Sequence, residues 1–194
     1  MLYVIKENEE FSFFCFNLDI ILCSYDKLKK EVISMQIVLA NLKDAKALSC
    51  LKKEIWEDTY RGIYEDVEID KYDYKKRENK FKKLILSENQ EVYVCKDRNK
   101  IIGYMVIGDP LHESIEGYNL CINDLGVSKE YQGKGIGKNF IEIAKSKNKK
   151  LFNGCNYYNA KARRFYEKMG AKISKISLDD SSKRNSQVYY VYDK

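Results

Sequence analysis

An apolar run ending Leu125-Gly126-Val127 gives way to Gln132-Gly133-Lys134-Gly135-Ile136-Gly137, and apolar residues at helical spacing, Phe140, Ile141, Ile143 and Ala144, follow directly. A strand that stops, a glycine-rich turn and a helix that starts there form a cradle for phosphate. Glycines let the backbone come close to a ligand, and the first N–H groups of a helix have no partner within it, so they aim partial positive charge at an anion. The spacing excludes the two commonest phosphate loops. A P-loop requires glycine, four residues and then Gly-Lys-Ser/Thr. Here Asn139 follows Gly137-Lys138, and Gln132 stands five before Gly137. The dinucleotide pattern G-x-G-x-x-G also fails, because a start at Gly135 puts Phe140 in the last glycine position and a start at Gly133 fails as well.

What remains is Gln-x-x-Gly-x-Gly. The stretch from Leu125 to Gly137 resembles the coenzyme A pyrophosphate loop of the GNAT superfamily of N-acyltransferases. A second block, Asn159-Ala160-Lys161-Ala162-Arg163-Arg164-Phe165-Tyr166-Glu167-Lys168-Met169-Gly170, resembles the later N-x-x-A-x-x-F-Y-E-K-x-G segment of that superfamily. The two lie in the expected order, about one strand apart. The fold the resemblance implies is a mixed α/β domain. Its central sheet is mostly antiparallel, splayed between strands 4 and 5 and flanked by helices.

The activity it implies is transfer of an acetyl group from acetyl-CoA to an amine, with no metal. A thioester already carries a good leaving group, so the protein has to orient the reactants, stabilise the oxyanion and protonate the departing thiolate. Carried over by position, the backbone of Leu125 and Val127 would pair with the pantetheine arm, and a backbone N–H there, that of Val127, would face the thioester oxygen. The N–H groups of Gln132, Gly133, Lys134, Gly135, Ile136, Gly137 and Lys138 would hold the pyrophosphate. Either lysine would add charge or point to solvent. Asn159 would hydrogen-bond the arm, cap a helix, or both. Tyr166 would protonate the leaving thiolate; its alternative is a core tyrosine on an apolar stripe.

The general base is not supplied by the resemblance. Many relatives carry a glutamate early in the fourth strand, where this chain has Cys121, and the nearest carboxylate in the same strand is Asp124. A water relay, or an amine that arrives neutral, would serve instead. Trp56-Glu57-Asp58-Thr59-Tyr60-Arg61-Gly62 resembles a W-x-x-x-Y-x-G stretch on the acceptor side of many bacterial members, which puts Trp56 and Tyr60 at the acceptor. The surrounding acids, Glu57, Asp58, Glu65, Asp66, Glu68 and Asp70, either favour a cationic amine or form a wet helix surface and an acidic turn. The acceptor is a small-molecule or protein amine. A catalytically weak acyl-CoA-binding module is the second reading, motivated by Cys121 and by a segment between Gly137 and Asn159 about one helical turn shorter than usual.

Composition sets the remaining bounds. The 194 residues are 44% apolar and 33% charged with one proline, as expected of one globular domain without a disordered linker. The net charge of +6 comes from lysines interspersed among 29 acidic residues, so no basic stripe points to nucleic acid. The Lys75–Lys83 run reads as the wet face of a helix or, alternatively, as a phosphate-recruiting patch. Nearly all of the sixteen tyrosines read as strand and surface filler. Six cysteines without a C-x-x-C pair, together with a single histidine, give no zinc or disulfide framework. The apolar stretch 11–23 is too short to span a bilayer and contains Asp19, so the expected location is the cytoplasm, without membrane attachment. A seam falls at Met35. Residues 35–194 are expected to be the acetyltransferase domain and residues 1–34 an N-terminal extension, or a stretch upstream of a true start at Met35. Oligomeric state stays open between monomer and homodimer.

Overall fold

Alternating and continuous apolar runs set the strands of the sheet. In the computed structural model, residues 35–147 and 149–193 are described. The extension reading, the 11–23 stretch, Cys15 and Cys23 lie outside them. The described residues belong to one compact unit, Met35–Lys194. Strand β1 (Met35–Leu39) leads through a 3-10 turn into helix α1 (Ala45–Tyr60), then α2 (Asp66–Asp70) and α3 (Tyr74–Ile85). The hairpin β2 (Gln90–Asp97) and β3 (Lys100–Gly108) is followed by β4 (Leu120–Val127), α4 (Ile136–Ser146), β5 (Leu151–Asn156), α5 (Ala160–Lys168), β6 (Lys172–Ser177) and β7 (Gln187–Tyr192).

The local chemistry explains these boundaries. Asn41 accepts from the Lys43 N–H while Asp44 accepts from the Asn41 N–H, a reciprocal cap that starts the first helical turn. Arg98, at φ +55°, closes the two-residue turn between β2 and β3. Asn159 caps α5 by accepting from the Ala162 N–H, and Gly170, at φ +86°, ends the turn that follows. The acidic turn expected near residues 65–70 is the short helix α2, which five residues are too few to reveal by period.

The strands order as β1-β2-β3-β4-β5-β7-β6 in one sheet. All neighbours are antiparallel except β4 and β5, which are parallel. Helices α1 and α3 cover one face through Leu48, Leu51, Phe81, Val92, Val94, Tyr104 and Val106. Helices α4 and α5 cover the other through Phe140, Ile141, Ala144, Tyr166, Ile102, Met105, Ile122 and Leu151. β3, covered on both faces, is accordingly a continuous apolar run.

Parallel pairing of β4 with β5 covers only Leu120–Ile122 against Leu151–Asn153. Beyond those positions β4 continues to Val127 and β5 to Asn156 without a ladder between them. This is the splay expected from the resemblance, and it survives the shortened Gly137–Asn159 segment.

Burial gives the fold a marked alkaline weakness. It raises the phenols of Tyr104 and Tyr166 well above 10, those of Tyr72 and Tyr190 to about 12, and the thiols of Cys121 and Cys155 to about 12. An unfolded chain releases thiol protons near pH ~8.5 and phenol protons near pH ~10. Above those values the unfolded state binds fewer protons than the native one. The contribution to stability is therefore full below pH ~8 and is lost as pH rises from ~9 towards ~12. The urea midpoint should hold steady from pH 7 to about 8.5 and drop steeply between about 9.5 and 11. A midpoint unchanged at pH 11 would contradict this.

Candidate active site

The splay opens a cleft of about 780 Å³. Its walls include Leu125, Val127, Gln132, Gly133, Gly135, Ile136, Gly137, Lys138, Asn159 and Tyr166, which brings ten of the residues singled out from the sequence into one place. Lys134, Asp124, Trp56 and Tyr60 are not part of that wall. The Lys134 ammonium instead lies 4.5 Å from the centre of the Tyr131 ring. Ile55, Asp58, Thr59 and Ile63 of α1 and its end complete the wall, as do Lys161 and Phe165 of α5. Asp58 stands among the acids named from the sequence at the acceptor side; the other five carry no signal beyond a helical period or a place in a quoted motif, so their share in the wall was not expected.

The glycine loop is shaped by its backbone. Gly133 and Gly135 have φ of +79° and +84°, where a side chain is strained, and a Cβ at either would meet nothing within 4 Å. The space in front of the loop is open. Gly137 serves a different purpose, since a Cβ there would come within 3.0 Å of the Phe165 ring and push α5 away from α4. Gly135 is the N-cap of α4 and offers no side-chain acceptor, and no acid occupies the first turn. The leading N–H groups of α4 are thus left for a ligand, with Lys138 beside them. The Gln132 side chain donates to the Val127 carbonyl at 2.9 Å and accepts from Lys161, so it braces the loop against the strand end and α5.

The register of β4 decides which backbone groups face the cleft. Ser128 N–H donates to Ile102 O at 2.9 Å, and Val127 and Gly126 lie opposite Gly103 and Tyr104. In an antiparallel ladder that alternation gives Gly126 to β3 and turns the N–H and C=O of Leu125 and Val127 outward, towards β5. No strand among the described residues pairs with them there. Across the cleft, Tyr166 is 6% exposed, its ring packed on Phe165 and Tyr190. Its hydroxyl makes no hydrogen bond among the described residues. Burial, then the neighbouring Cys155, Tyr192, Tyr60 and Asp124, hold this phenol protonated well above pH 10. Asn159 both caps α5 and lines the cleft, so its two expected placements coincide.

The carboxylate of β4 is tied down. Asp124 accepts from Lys52 Nζ at 2.5 Å through one oxygen and from Tyr104 Oη at 3.0 Å through the other. A bulge puts Asn123 between the β3 partners of Ile122 and Asp124, and this turns Asp124 onto the α1 face. Cys121 is buried against Phe152 and Val191, with its thiol pushed up to about 12 by burial, so it is no base at neutral pH.

The acidic stretch also has its charges paired. Arg61 binds Asp66 at 2.9 Å and Asp70 at 2.5 Å, Glu57 pairs with Lys53, Asp58 with Lys129, and Glu68 with Arg184. The reading of the tyrosines as filler needs correction. Trp56, Tyr60, Tyr64 and Tyr72 form one cluster, with Tyr60 stacked on Tyr64 at 4.4 Å and Trp56 edge-on to three of the tyrosines. Tyr60 lies near both Asp124 on β4 and Cys155 on β5, at the α1 side of the splay.

Among the described residues no helix is long and apolar enough to cross a membrane, and no three His, Cys, Asp or Glu side chains form a group able to hold a metal. Residues 88–170 match the acetyltransferase (GNAT) domain family. The 5-NmdU N-acetyltransferase of Pseudomonas phage PaMx11 is 28% identical over 89 residues, which cover 45% of this chain and 61% of that protein; the chain thus spans less than two thirds of this relative's length. The crystal structure of PaiA N-acetyltransferase from Thermoplasma acidophilum, in complex with coenzyme A, is 22% identical with a TM-score of 0.66, over 82% of this chain and 100% of that one. An acetyltransferase from Thermus thermophilus is 16% identical with a TM-score of 0.62, over 82% and 97%. At those identities the structural likeness concerns the fold. The segment matched to the acetyltransferase (GNAT) domain, less than half of the chain, contains the hairpin, β4, the glycine loop, α4, β5 and α5, which build most of the cleft.

Proposed function

We propose that residues 35–194 form an N-acetyltransferase domain that moves an acetyl group from acetyl-CoA to a primary amine of a small molecule or protein, by direct attack in a ternary complex, and that residues 1–34 are an extension outside it. One observation carries the reading. An outward-facing strand edge at Leu125 and Val127, a helix N-terminus without a side-chain cap and a non-hydrogen-bonded phenol all share a single cleft. Support also comes from the coenzyme A bound in the PaiA structure and from the N-acetyltransferase name of the phage relative.

The donor contributes an acyl group on a good leaving group. The Leu125 and Val127 backbone would align the pantetheine arm as an added strand, with the Val127 N–H directed at the acyl oxygen. Gln132 to Lys138 would hold the pyrophosphate, with Asn159 on the arm and Tyr166 Oη donating the proton that the thiolate takes up. With Cys121 un-ionised and both Asp124 oxygens engaged, no free base stands on β4, so the amine enters neutral. Trp56 and Tyr60 then bound the acceptor side.

The engaged Asp124 favours one alternative, an acyl-CoA-binding module with weak catalysis. Release of free thiol from acetyl-CoA, measured against a panel of amines, polyamines and peptide N-termini, separates the two. The enzyme reading expects thiol release that depends on amine and rises with pH as the acceptor loses its proton. Coenzyme A binding without release above the no-amine rate would establish the binding module instead.

A further inference from the structure

The sheet face covered by α1 and α3, which reaches Asp124 next to the cleft residue Leu125, carries an excess of positive charge. Lys52, whose side chain is 13% exposed, pairs with Asp124 and lies 5.8 Å from the Tyr104 ring centre and 6.0 Å from that of Trp56. Arg77 of α3 stacks over Trp56 at 5.0 Å and over Tyr72 at 5.6 Å. Lys80 follows three residues later, one turn along the same helix face. Partial desolvation and the like charges of Arg77 and Lys52 lower its ammonium pKa, while Asp124 acts the other way. Among the described residues, Asp124 is the carboxylate that faces this set. Glu57 pairs with Lys53, Glu78 with Lys82, and Asp73 caps α3. Neither Arg77 nor Lys80 forms an ion pair with a described carboxylate.

The aromatic faces here already hold cations. Trp56 carries Lys52 and Arg77, Tyr72 carries Arg77 and Lys53, and Tyr104 carries Lys52. A second ammonium on the acceptor would thus meet three rings that already hold cations and an unfavourable field, whereas an anion would find a guanidinium fork and an ammonium.

The geometry points to an acceptor that carries a carboxylate or phosphate on the same molecule as its amine. Arg77 and Lys80 hold that anion, while the amine passes Tyr60 to reach the strand edge next to Asp124. This rests on the proposed acetyl transfer and narrows its substrate class.

The test compares kcat/KM within matched pairs at fixed ionic strength, β-alanine against β-alaninamide and O-phosphoethanolamine against ethanolamine. The charged member of at least one pair should be favoured by about tenfold or more, and the pair concerned tells carboxylate from phosphate. Lys80→Gln and Arg77→Gln should each bring that ratio towards one. Lys80 is exposed, so Lys80→Gln keeps the test open if loss of the Arg77 stack unfolds the chain. Equal or reversed preference in the unaltered protein, or a preference untouched by both substitutions, overturns the proposal.

If no amine turns over, the fluorescence of Trp56, the single tryptophan, decides instead through titration with O-phosphoethanolamine and β-alanine against matched chloride. Saturation that Lys80→Gln weakens at least severalfold upholds the anion site while the acetyl-transfer reading fails. No saturation overturns the site.

Discussion

Tyr166→Phe is expected to lower kcat about 100-fold, while coenzyme A affinity stays within about twofold. The substitution deletes one hydroxyl that makes no hydrogen bond among the described residues, and it leaves the ring packed on Phe165 and Tyr190. No buried partner is orphaned, so the melting temperature should barely move. Loss of rate at unchanged stability and unchanged donor binding would mark a proton donor; a packing residue would lose stability first. A rate within about twofold of the unaltered protein would remove Tyr166 from the mechanism.

The pH profile gives a second readout of the same assignment. Burial holds the phenol protonated well above pH 10, so the acid stays competent over the whole working range. The rate should climb with pH as the acceptor amine deprotonates, without an alkaline decline before the fold itself weakens. In Tyr166→Phe the same rising limb should persist at lower amplitude. A decline centred below about pH 9 in the unaltered protein would assign the proton to a different group.

How far the sequence could be read depends on the range of the interaction concerned. The loop was legible because Gly133 and Gly135 need positive φ, and glycine meets that need at a single residue. The cap at Asn159 acts within three residues and was legible for the same reason. The splay came from family resemblance, since a three-residue parallel ladder leaves no periodic trace. What lay beyond reach was set by distant partners. The bulge at Asn123 turns Asp124 towards Lys52 seventy-two positions away, and a bulge shows only against the register of β3. The acids near residues 57–70 could be read as a cationic-amine site or as a wet helix surface, and only the partners Arg61, Lys129 and Arg184, which hold most of them, separate the two. The aromatic cluster joins α1 to the α2–α3 connection, so its tyrosines looked like scattered filler along the chain.

Gly135→Val is expected to weaken coenzyme A binding by about 100-fold or more, a loss that follows from losing about two charge-assisted hydrogen bonds at about 1.5–3 kcal/mol each. Gly135 stands at φ +84° as the N-cap of α4, a conformation that strains a β-branched residue by about 1–2 kcal/mol. Valine would relieve that strain by turning the peptide towards the extended region, which re-aims the first N–H groups of the helix. Its branched side chain would also project into the space that is open in front of the loop. Both effects act on the donor site, whereas the core beneath α4, built on Ile136, Phe140 and Ile141, keeps its packing. Calorimetric titration with coenzyme A should therefore register a far larger change than thermal unfolding. Gly137→Ala provides the contrast, because its Cβ would press on the Phe165 ring at 3.0 Å and shift α5, and so should lower stability and coenzyme affinity together. If Gly135→Val bound coenzyme A as tightly as the unaltered chain, the pyrophosphate would have to lie away from the α4 N-terminus, and the donor site would need to be sought elsewhere along the cleft.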